Sequence, residues 1–254
     1  MGAGHVHRLY RHGHTPVHRL PAHVKLVSLL AFVLVVVATP REAFWAFGAY
    51  AALLAGVAVT ARLPLPFIVK RMVVEVPFVV FALLLPFLAA GPDVTVAGLS
   101  LSQEGLLAGW NILAKGTLGV VASILLAATT DARALLLALQ RLRVPPVLVE
   151  ITAFMVRYAD VITGEMNRMK VARESRGFSG NVGRRLGVVA TSAGALFIRS
   201  YERGERVHLA MLSRGYTGAL PVLEVQQAQT VQWVGAALLP FSALVVSVVA
   251  WMTV

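Results

Sequence analysis

Residues 72–90 read MVVEVPFVVFALLLPFLAA, an apolar run whose one charged side chain is Glu75. The hydrocarbon core of a bilayer takes about 20 apolar residues of helix, so a run of this kind predicts a membrane-spanning helix. Further apolar runs with few charges occupy residues 24–39, 43–60, 105–129 and 231–254. We therefore predict an all-α integral membrane protein with about five transmembrane helices.

The composition of the whole chain supports the same class. Of its 254 residues, 57% are hydrophobic and 14% charged, and the mean hydropathy of +0.75 is well above that of a soluble domain. Zero cysteines exclude disulfides, thiolate metal sites and cysteine nucleophiles. The sequence shows no nucleophile–base pattern, paired-carboxylate signature or nucleic-acid-binding module. We therefore expect no enzyme, no catalytic residue, no cofactor and no nucleic-acid partner.

The basic residues are concentrated in one part of the chain. Residues 131–220 hold 14 arginines and lysines against 7 acids, whereas the loop at 91–104 holds neither lysine nor arginine. Basic loops stay on the cytoplasmic side of a membrane. We therefore predict that the 131–220 block and the basic amino terminus are cytoplasmic and that the 91–104 loop is outside.

These patterns divide the chain into four predicted parts. Within the basic block, residues 145–164 and 187–200 are apolar enough for amphipathic helices that lie against membrane lipid on the inner leaflet, although a sixth or seventh span is an alternative. The parts are a basic, histidine-rich cytoplasmic arm at 1–23, a four-helix transmembrane region at 24–129, a cytoplasmic or interfacial helical domain at 130–229, and a final transmembrane helix at 230–254.

Six of the seven histidines precede Lys25, and neutral imidazoles can bind divalent ions. No acidic residue lies among them, and the neighbouring arginines repel cations. We interpret this arm as facing solvent or lipid headgroups, and we expect no metal site in the chain. The histidines are His5, His7, His12, His14, His18 and His23.

Two charged residues fall inside predicted spans. Lys115 lies near mid-bilayer, where a charge costs roughly 2.5 to 3.5 kcal/mol, so its side chain is expected to face protein or water. Glu75 lies about 10 Å away in depth at 1.5 Å per residue, so a direct pair requires helix tilt or snorkelling. Polar packing of Lys115 with another neighbour is the alternative.

A short internal repeat is the most informative feature of the chain. Residues 172–178 read ARESRGF and residues 210–216 read AMLSRGY, so both copies contain alanine, three residues, arginine, glycine and an aromatic residue. One interpretation is a pair of helix C-caps, because glycine favours the left-handed conformation found there. The other is a pair of docking helices whose arginines bind carboxylates of a partner with two equivalent grooves, most simply a dimer.

The repeat also resembles a known family. The two segments, together with RLRVPPVLVE at 141–150, FIRSYERGERVHLAM at 197–211 and TPVHRLPAHVKLVSLLAFVL at 15–34, resemble the transmembrane T component of energy-coupling factor transporters, and the CbiQ branch in particular. The resemblance covers nearly the whole chain. It implies that the 130–229 domain is a coupling domain with two coupling helices.

The resemblance implies a set of partners as well. The T component of that family joins two ATP-binding cassette ATPases to a substrate-binding membrane S component, here CbiM-like and with or without a small accessory subunit, in a bacterial or archaeal cytoplasmic membrane. The CbiQ branch is associated with cobalt, and close relatives serve nickel. The implied ATPase-docking residues are Ala172, Arg176 and Gly177 in the first segment and Ala210, Arg214 and Gly215 in the second.

Two rival functions stay open at this point. A self-sufficient permease binds its solute among its own spans and needs several convergent polar groups at membrane depth. A basic membrane anchor for nucleic acid or anionic lipid needs aromatic residues interleaved with arginines.

Overall fold

The computed structural model describes residues 10–89, 92–96, 99–178, 182–218 and 228–253. Most of this part of the chain is helical. In chain order the elements are α1 (Pro16–Arg19), α2 (Ala22–Ala38), α3 (Phe44–Thr60), α4 (Leu65–Arg71), a 3-10 turn (Met72–Glu75), α5 (Val76–Leu88), β1 (Asp93–Val96), β2 (Leu99–Ser102), α6 (Gln103–Thr129), α7 (Ala132–Arg141), α8 (Pro146–Ser175), α9 (Val182–Leu212) and α10 (Thr230–Thr253).

The apolar helices confirm the predicted fold class. Three helical stretches within the described residues are long and apolar enough to cross a membrane, and two further apolar helices, α2 and α3, have 17 residues each. All five occupy segments that the sequence predicted as spans. The three long stretches are Leu65–Leu88, Gln103–Thr129 and Thr230–Thr253.

The first of these stretches differs from its predicted limits. Residues 72–90 were expected to form the span, whereas the helical stretch begins at Leu65 and includes α4, the 3-10 turn and α5. Pro77 lies in the first turn of α5, where its missing N–H costs no helical hydrogen bond. The helix therefore tightens just before Pro77 and continues after it.

The loop at 91–104 contains an unpredicted β-hairpin. Strands β1 and β2 pair antiparallel, with Asp93 opposite Ser102 and Val96 opposite Leu99. Ser102 also caps α6, because its side-chain oxygen accepts a hydrogen bond from the Gly105 N–H at 3.3 Å. The hairpin therefore leads directly into the longest apolar helix.

The described residues fall into two compact units. One contains Tyr10–Ala138 together with α10, and the other contains the described part of Leu139–Val225, including α8 and α9.

In the first unit, a buried polar cluster joins three helices. The Thr39 hydroxyl lies 2.8 Å from the Tyr50 hydroxyl and donates to the Ser247 hydroxyl at 3.2 Å. Thr39 and Tyr50 are almost completely buried. Because lipid tails are as apolar as the helices, such interhelical hydrogen bonds help to hold α2, α3 and α10 together.

Small residues let α6 approach α5 closely. A Cβ atom added at Gly105 would lie 2.6 Å from the Leu85 carbonyl oxygen, and one added at Gly109 would lie 2.7 Å from the Ala82 carbonyl oxygen. Both oxygens belong to the backbone, so they move only if a helix moves. Gly105 and Gly109 thus form a small-xxx-small contact of the kind that packs membrane helices.

We predict that Gly109→Ala destabilises the chain by roughly 1 to 3 kcal/mol, the usual cost of overpacking a tight contact. Gly119→Ala is the matched control on the same helix, because nothing lies within 4 Å of a Cβ atom at Gly119. Thermal unfolding of the detergent-solubilised chain measures both variants. Equal melting temperatures for the two variants would show that the α5–α6 contact is not tight.

Candidate docking site

Helices α8 and α9 form an antiparallel hairpin in the second unit. α8 has 30 residues and begins after Pro145 with Pro146 in its first turn, a position that proline favours, and α9 has 31 residues. Arg173 donates to the Ser192 hydroxyl at 2.5 Å, and Glu165 lies 3.6 Å from Arg199. From Arg173 back to Glu165 along α8, the partner on α9 moves forward from Ser192 to Arg199. The two helices are therefore antiparallel.

The first copy of the repeat ends α8 in a Schellman motif. Gly177 has a φ of 69°, in the left-handed region that favours glycine. Its N–H donates to the Glu174 carbonyl at 3.0 Å, and the Phe178 N–H donates to the Arg173 carbonyl at 3.2 Å. These two bonds satisfy carbonyls that a helix end otherwise leaves unpaired.

The second copy ends α9 in the same way. Gly215 has a φ of 83°, its N–H donates to the Leu212 carbonyl at 3.0 Å, and the Tyr216 N–H donates to the Met211 carbonyl at 3.0 Å. The capping interpretation is therefore confirmed for both copies. A cap also fixes the direction of the last turn, so it does not compete with a docking role for the arginine beside it.

The six predicted docking residues are all exposed. Within the part of the chain that the structure describes, neither Arg176 nor Arg214 takes part in an ion pair or a side-chain hydrogen bond. Other arginines of the hairpin do, since Arg168 and Arg199 both contact Glu165. The two motif arginines therefore present their donors outward. The exposed positions are Ala172, Arg176, Gly177, Ala210, Arg214 and Gly215.

The structure separates the two motifs instead of bringing them together. The Tyr216 hydroxyl donates a hydrogen bond to the Glu150 carboxylate, so the end of α9 lies at the beginning of α8. The first motif lies at the other end of α8. From Glu150 to Arg176 the helix rises roughly 40 Å at 1.5 Å per residue. The hairpin thus presents one arginine–glycine cap at each end.

Sequence reasoning missed two acidic residues that organise the hairpin. Glu165 accepts a hydrogen bond from Arg168 at 2.6 Å, and that bond holds the pKa of Glu165 below its usual value. Glu150 is buried, and its hydrogen bond with Tyr216 raises the pKa of the Tyr216 hydroxyl. An acid within a block rich in arginine was the available signal for the Glu165 pairs, whereas no sequence pattern indicates the contact between Glu150 and Tyr216.

The first unit contains the charged residues inside the apolar helices. Lys115 donates to the Val37 carbonyl at 2.8 Å, and Glu75 accepts from the Thr117 hydroxyl at 2.5 Å. A direct Lys115–Glu75 pair is therefore absent, and the alternative of another neighbour for Lys115 is correct. The difference in depth explains this result, since each side chain finds a partner at its own level.

A metal site is also absent from the described residues, where no group of three histidines, cysteines or acids lies close enough to hold an ion. The His18 ring nitrogens lie 2.7 Å from the Thr15 hydroxyl and 3.1 Å from the Arg11 carbonyl. Burial lowers the pKa of His18. His5 and His7 lie outside the described residues, so the expectation that the chain has no metal site stays a prediction.

The apolar helices and the capped hairpin define a membrane protein whose second unit has two similar capped helix ends, each with an exposed arginine. Comparison with known families agrees with this class. The profile of the CbiQ family, described as cobalt transport protein, matches residues 13–226. The chain therefore belongs to the CbiQ family, whose members are membrane transport components and not enzymes.

Three relatives illustrate the similarity. An uncharacterized protein of Methanocaldococcus jannaschii is 30% identical over 132 residues, which are 52% of this chain and 49% of that protein. The cobalt transport protein CbiQ of Rhodobacter capsulatus is 28% identical over 177 residues, covering 70% of this chain and 71% of the relative. The energy-coupling factor transporter transmembrane protein EcfT of Staphylococcus aureus is 29% identical over 217 residues, covering 79% of each chain. The chain spans about half the length of the Methanocaldococcus relative.

We predict that Gly215→Ala weakens the second cap, because a residue with a Cβ atom pays roughly 1 to 2 kcal/mol in the left-handed conformation. Gly204→Ala is the matched control, since Gly204 lies within α9 and nothing lies within 4 Å of an added Cβ atom. Amide hydrogen exchange at the end of α9 is expected to speed up in the first variant alone. Unchanged exchange in Gly215→Ala would contradict the cap.

Proposed function

We propose that this chain is the transmembrane coupling subunit, or T component, of an energy-coupling factor importer. It transmits ATP-driven motion from two ATP-binding cassette ATPases to a substrate-binding membrane subunit and performs no chemistry itself. The observation that carries the proposal is the pair of similar arginine–glycine caps at opposite ends of one hairpin, in a chain of the CbiQ family.

The geometry of the hairpin favours docking to two ATPase subunits rather than to one. Two caps that are roughly 40 Å apart suit two separate grooves. Each cap offers an exposed arginine, whose planar guanidinium binds a carboxylate through two parallel hydrogen bonds. We propose that Ala172, Arg176 and Gly177 dock into one ATPase and that Ala210, Arg214 and Gly215 dock into the other.

This arrangement suggests how motion is transmitted. Closure of the ATPase pair on ATP brings its two grooves together, and the docked ends of α8 and α9 follow. Packed helices move as rigid elements that slide or pivot at their contacts. A change in the hairpin then reorients the membrane subunit that holds the substrate.

The transported solute belongs to the substrate-binding partner in this proposal. The family description and the Rhodobacter relative both name cobalt transport, and we propose cobalt, or nickel, as the solute of a CbiM-like partner, with or without a small accessory subunit. The permease alternative needs convergent polar groups at membrane depth. Lys115 and Glu75 both bind neighbours within the chain, which disfavours it.

We also propose a location and topology. The chain crosses a bacterial or archaeal cytoplasmic membrane several times, with its amino terminus and its 130–229 coupling domain in the cytoplasm and its β-hairpin outside. The distribution of basic residues supports this orientation. The predicted limits of the arm, the transmembrane region, the coupling domain and the final helix are part of the same proposal.

Replacing Arg176 or Arg214 by alanine is expected to weaken ATPase binding at least about 30-fold, because a buried partner carboxylate loses its counter-charge. The double variant is expected to lose both assembly and uptake. Arg206→Ala is the matched control, since Arg206 is also an exposed arginine of α9 and its 3.9 Å pair with Glu202 lies on the surface. Affinity purification with the ATPases and uptake of radioactive cobalt measure the effects. A double variant that assembles and transports normally would refute the docking proposal.

The proposed orientation predicts the reactivity of single cysteines, which are easily placed in a cysteine-free chain. Gln103→Cys, at the exposed start of α6, is expected to react with an impermeant thiol reagent in intact cells. Thr217→Cys, exposed after the second cap, is expected to react only after the cells are opened. The reverse pattern would overturn the orientation.

A further inference from the structure

The two caps share their backbone geometry but differ in one side-chain contact. The first motif ends in Phe178, which has no hydroxyl group, and the second ends in Tyr216, whose hydroxyl donates to the Glu150 carboxylate. Glu150 is 6% exposed and lies in the second turn of α8. The Tyr216 ring also contacts the His208 ring edge to face, with centroids 6.5 Å apart. The residue that follows the second cap is therefore attached to the opposite helix of the hairpin.

We propose that the Tyr216–Glu150 hydrogen bond positions the Arg214 docking segment and makes the two docking ends unequal. This inference rests on the proposed coupling function. The bond attaches the turn after α9 to the start of α8. The position of Arg214 is therefore fixed by contacts with both helices. No corresponding contact of Phe178 with an acid is found among the described residues. At the Arg176 end the contact between the helices is the Arg173–Ser192 hydrogen bond, which comes before the cap and does not hold the residue after Gly177.

The unequal ends have a consequence for docking. A hydrogen bond to a charged group contributes more to stability than one between neutral groups. It also restricts the docking segment before binding, so the segment loses less conformational entropy when it binds. The segment after the second cap is thus held before docking, whereas Phe178, after the first cap, has no such bond to an acid among the described residues and is expected to lose more conformational entropy on binding. Tyr216 is a positioning residue in this scheme, because it acts through Arg214 and does not itself touch the ATPase.

The first arm of the test uses the full chain in detergent without its partners. Tyr216→Phe removes one oxygen atom and keeps the ring, so the helix and its packing remain. Amide exchange of Gly215 and Tyr216, whose N–H groups form the second cap, is expected to speed up about tenfold. The equivalent amides of Gly177 and Phe178 form the internal control and are expected to keep their rates. Glu150→Gln, which keeps a weaker acceptor, is expected to have a smaller effect at the same two amides.

The second arm measures binding of the ATPases to the same variants. Tyr216→Phe is expected to weaken binding several-fold, and adding the change to Arg214→Ala is expected to produce little further loss, because both act at one end. When Tyr216→Phe is combined with Arg176→Ala instead, the two losses of binding free energy are expected to add, because the changes lie at different ends. Phe178→Leu is the control at the other motif, since it also alters the residue after a cap without touching Glu150.

The outcomes separate this inference from the function on which it rests. Unchanged exchange in Tyr216→Phe overturns the inference. Faster exchange with normal ATPase binding, while Arg214→Ala binds poorly, also overturns it and leaves the proposed function intact. Normal binding by Arg176→Ala and Arg214→Ala overturns the proposed function and this inference together. Faster exchange confined to the second cap, combined with weaker binding that depends on Arg214, supports the inference.

Discussion

The antiparallel packing of α8 against α9 is the constraint on which the proposed function depends. Each helix is about 45 Å long at 1.5 Å per residue, and each ends in a glycine cap beside an exposed arginine. Had the two helices run parallel, both arginines would lie at one end and would suit one groove. Because they run antiparallel, the chain has one capped end on each side of a helix pair whose two members can slide or pivot at their contacts.

The membrane-embedded unit follows a different physical rule, which is that a charged side chain in an apolar environment needs a partner. Lys115 finds the Val37 carbonyl, Glu75 finds the Thr117 hydroxyl, and Lys25 donates to the Thr129 carbonyl at 2.8 Å, where it caps the end of α6. These bonds join neighbouring helices or complete a helix end. They explain how a unit that is otherwise apolar tolerates these charges.

Much of the fold was predictable from the sequence, because long apolar runs have few alternatives to helices in a membrane. The five predicted spans coincide with helices, and both glycine caps occur where the repeat placed them. The β-hairpin was not predicted, since two strands of four residues leave little pattern. The partner of Lys115, the Val37 carbonyl, could not be predicted, because every residue has a backbone carbonyl and no sequence pattern marks the one that is used. The Tyr216–Glu150 contact joins residues 66 positions apart, which only the path of the hairpin brings together.

The distance between the two ends of the hairpin in the assembled transporter tests the account most directly. Spin labels on cysteines that replace Ser175 and Ser213, two exposed residues beside the motif arginines, report this distance by pulsed electron paramagnetic resonance. The account predicts a separation of roughly 40 Å without nucleotide, a shift when ATP closes the ATPases, and a return after hydrolysis. A short separation, or one that is the same with and without ATP, would contradict it.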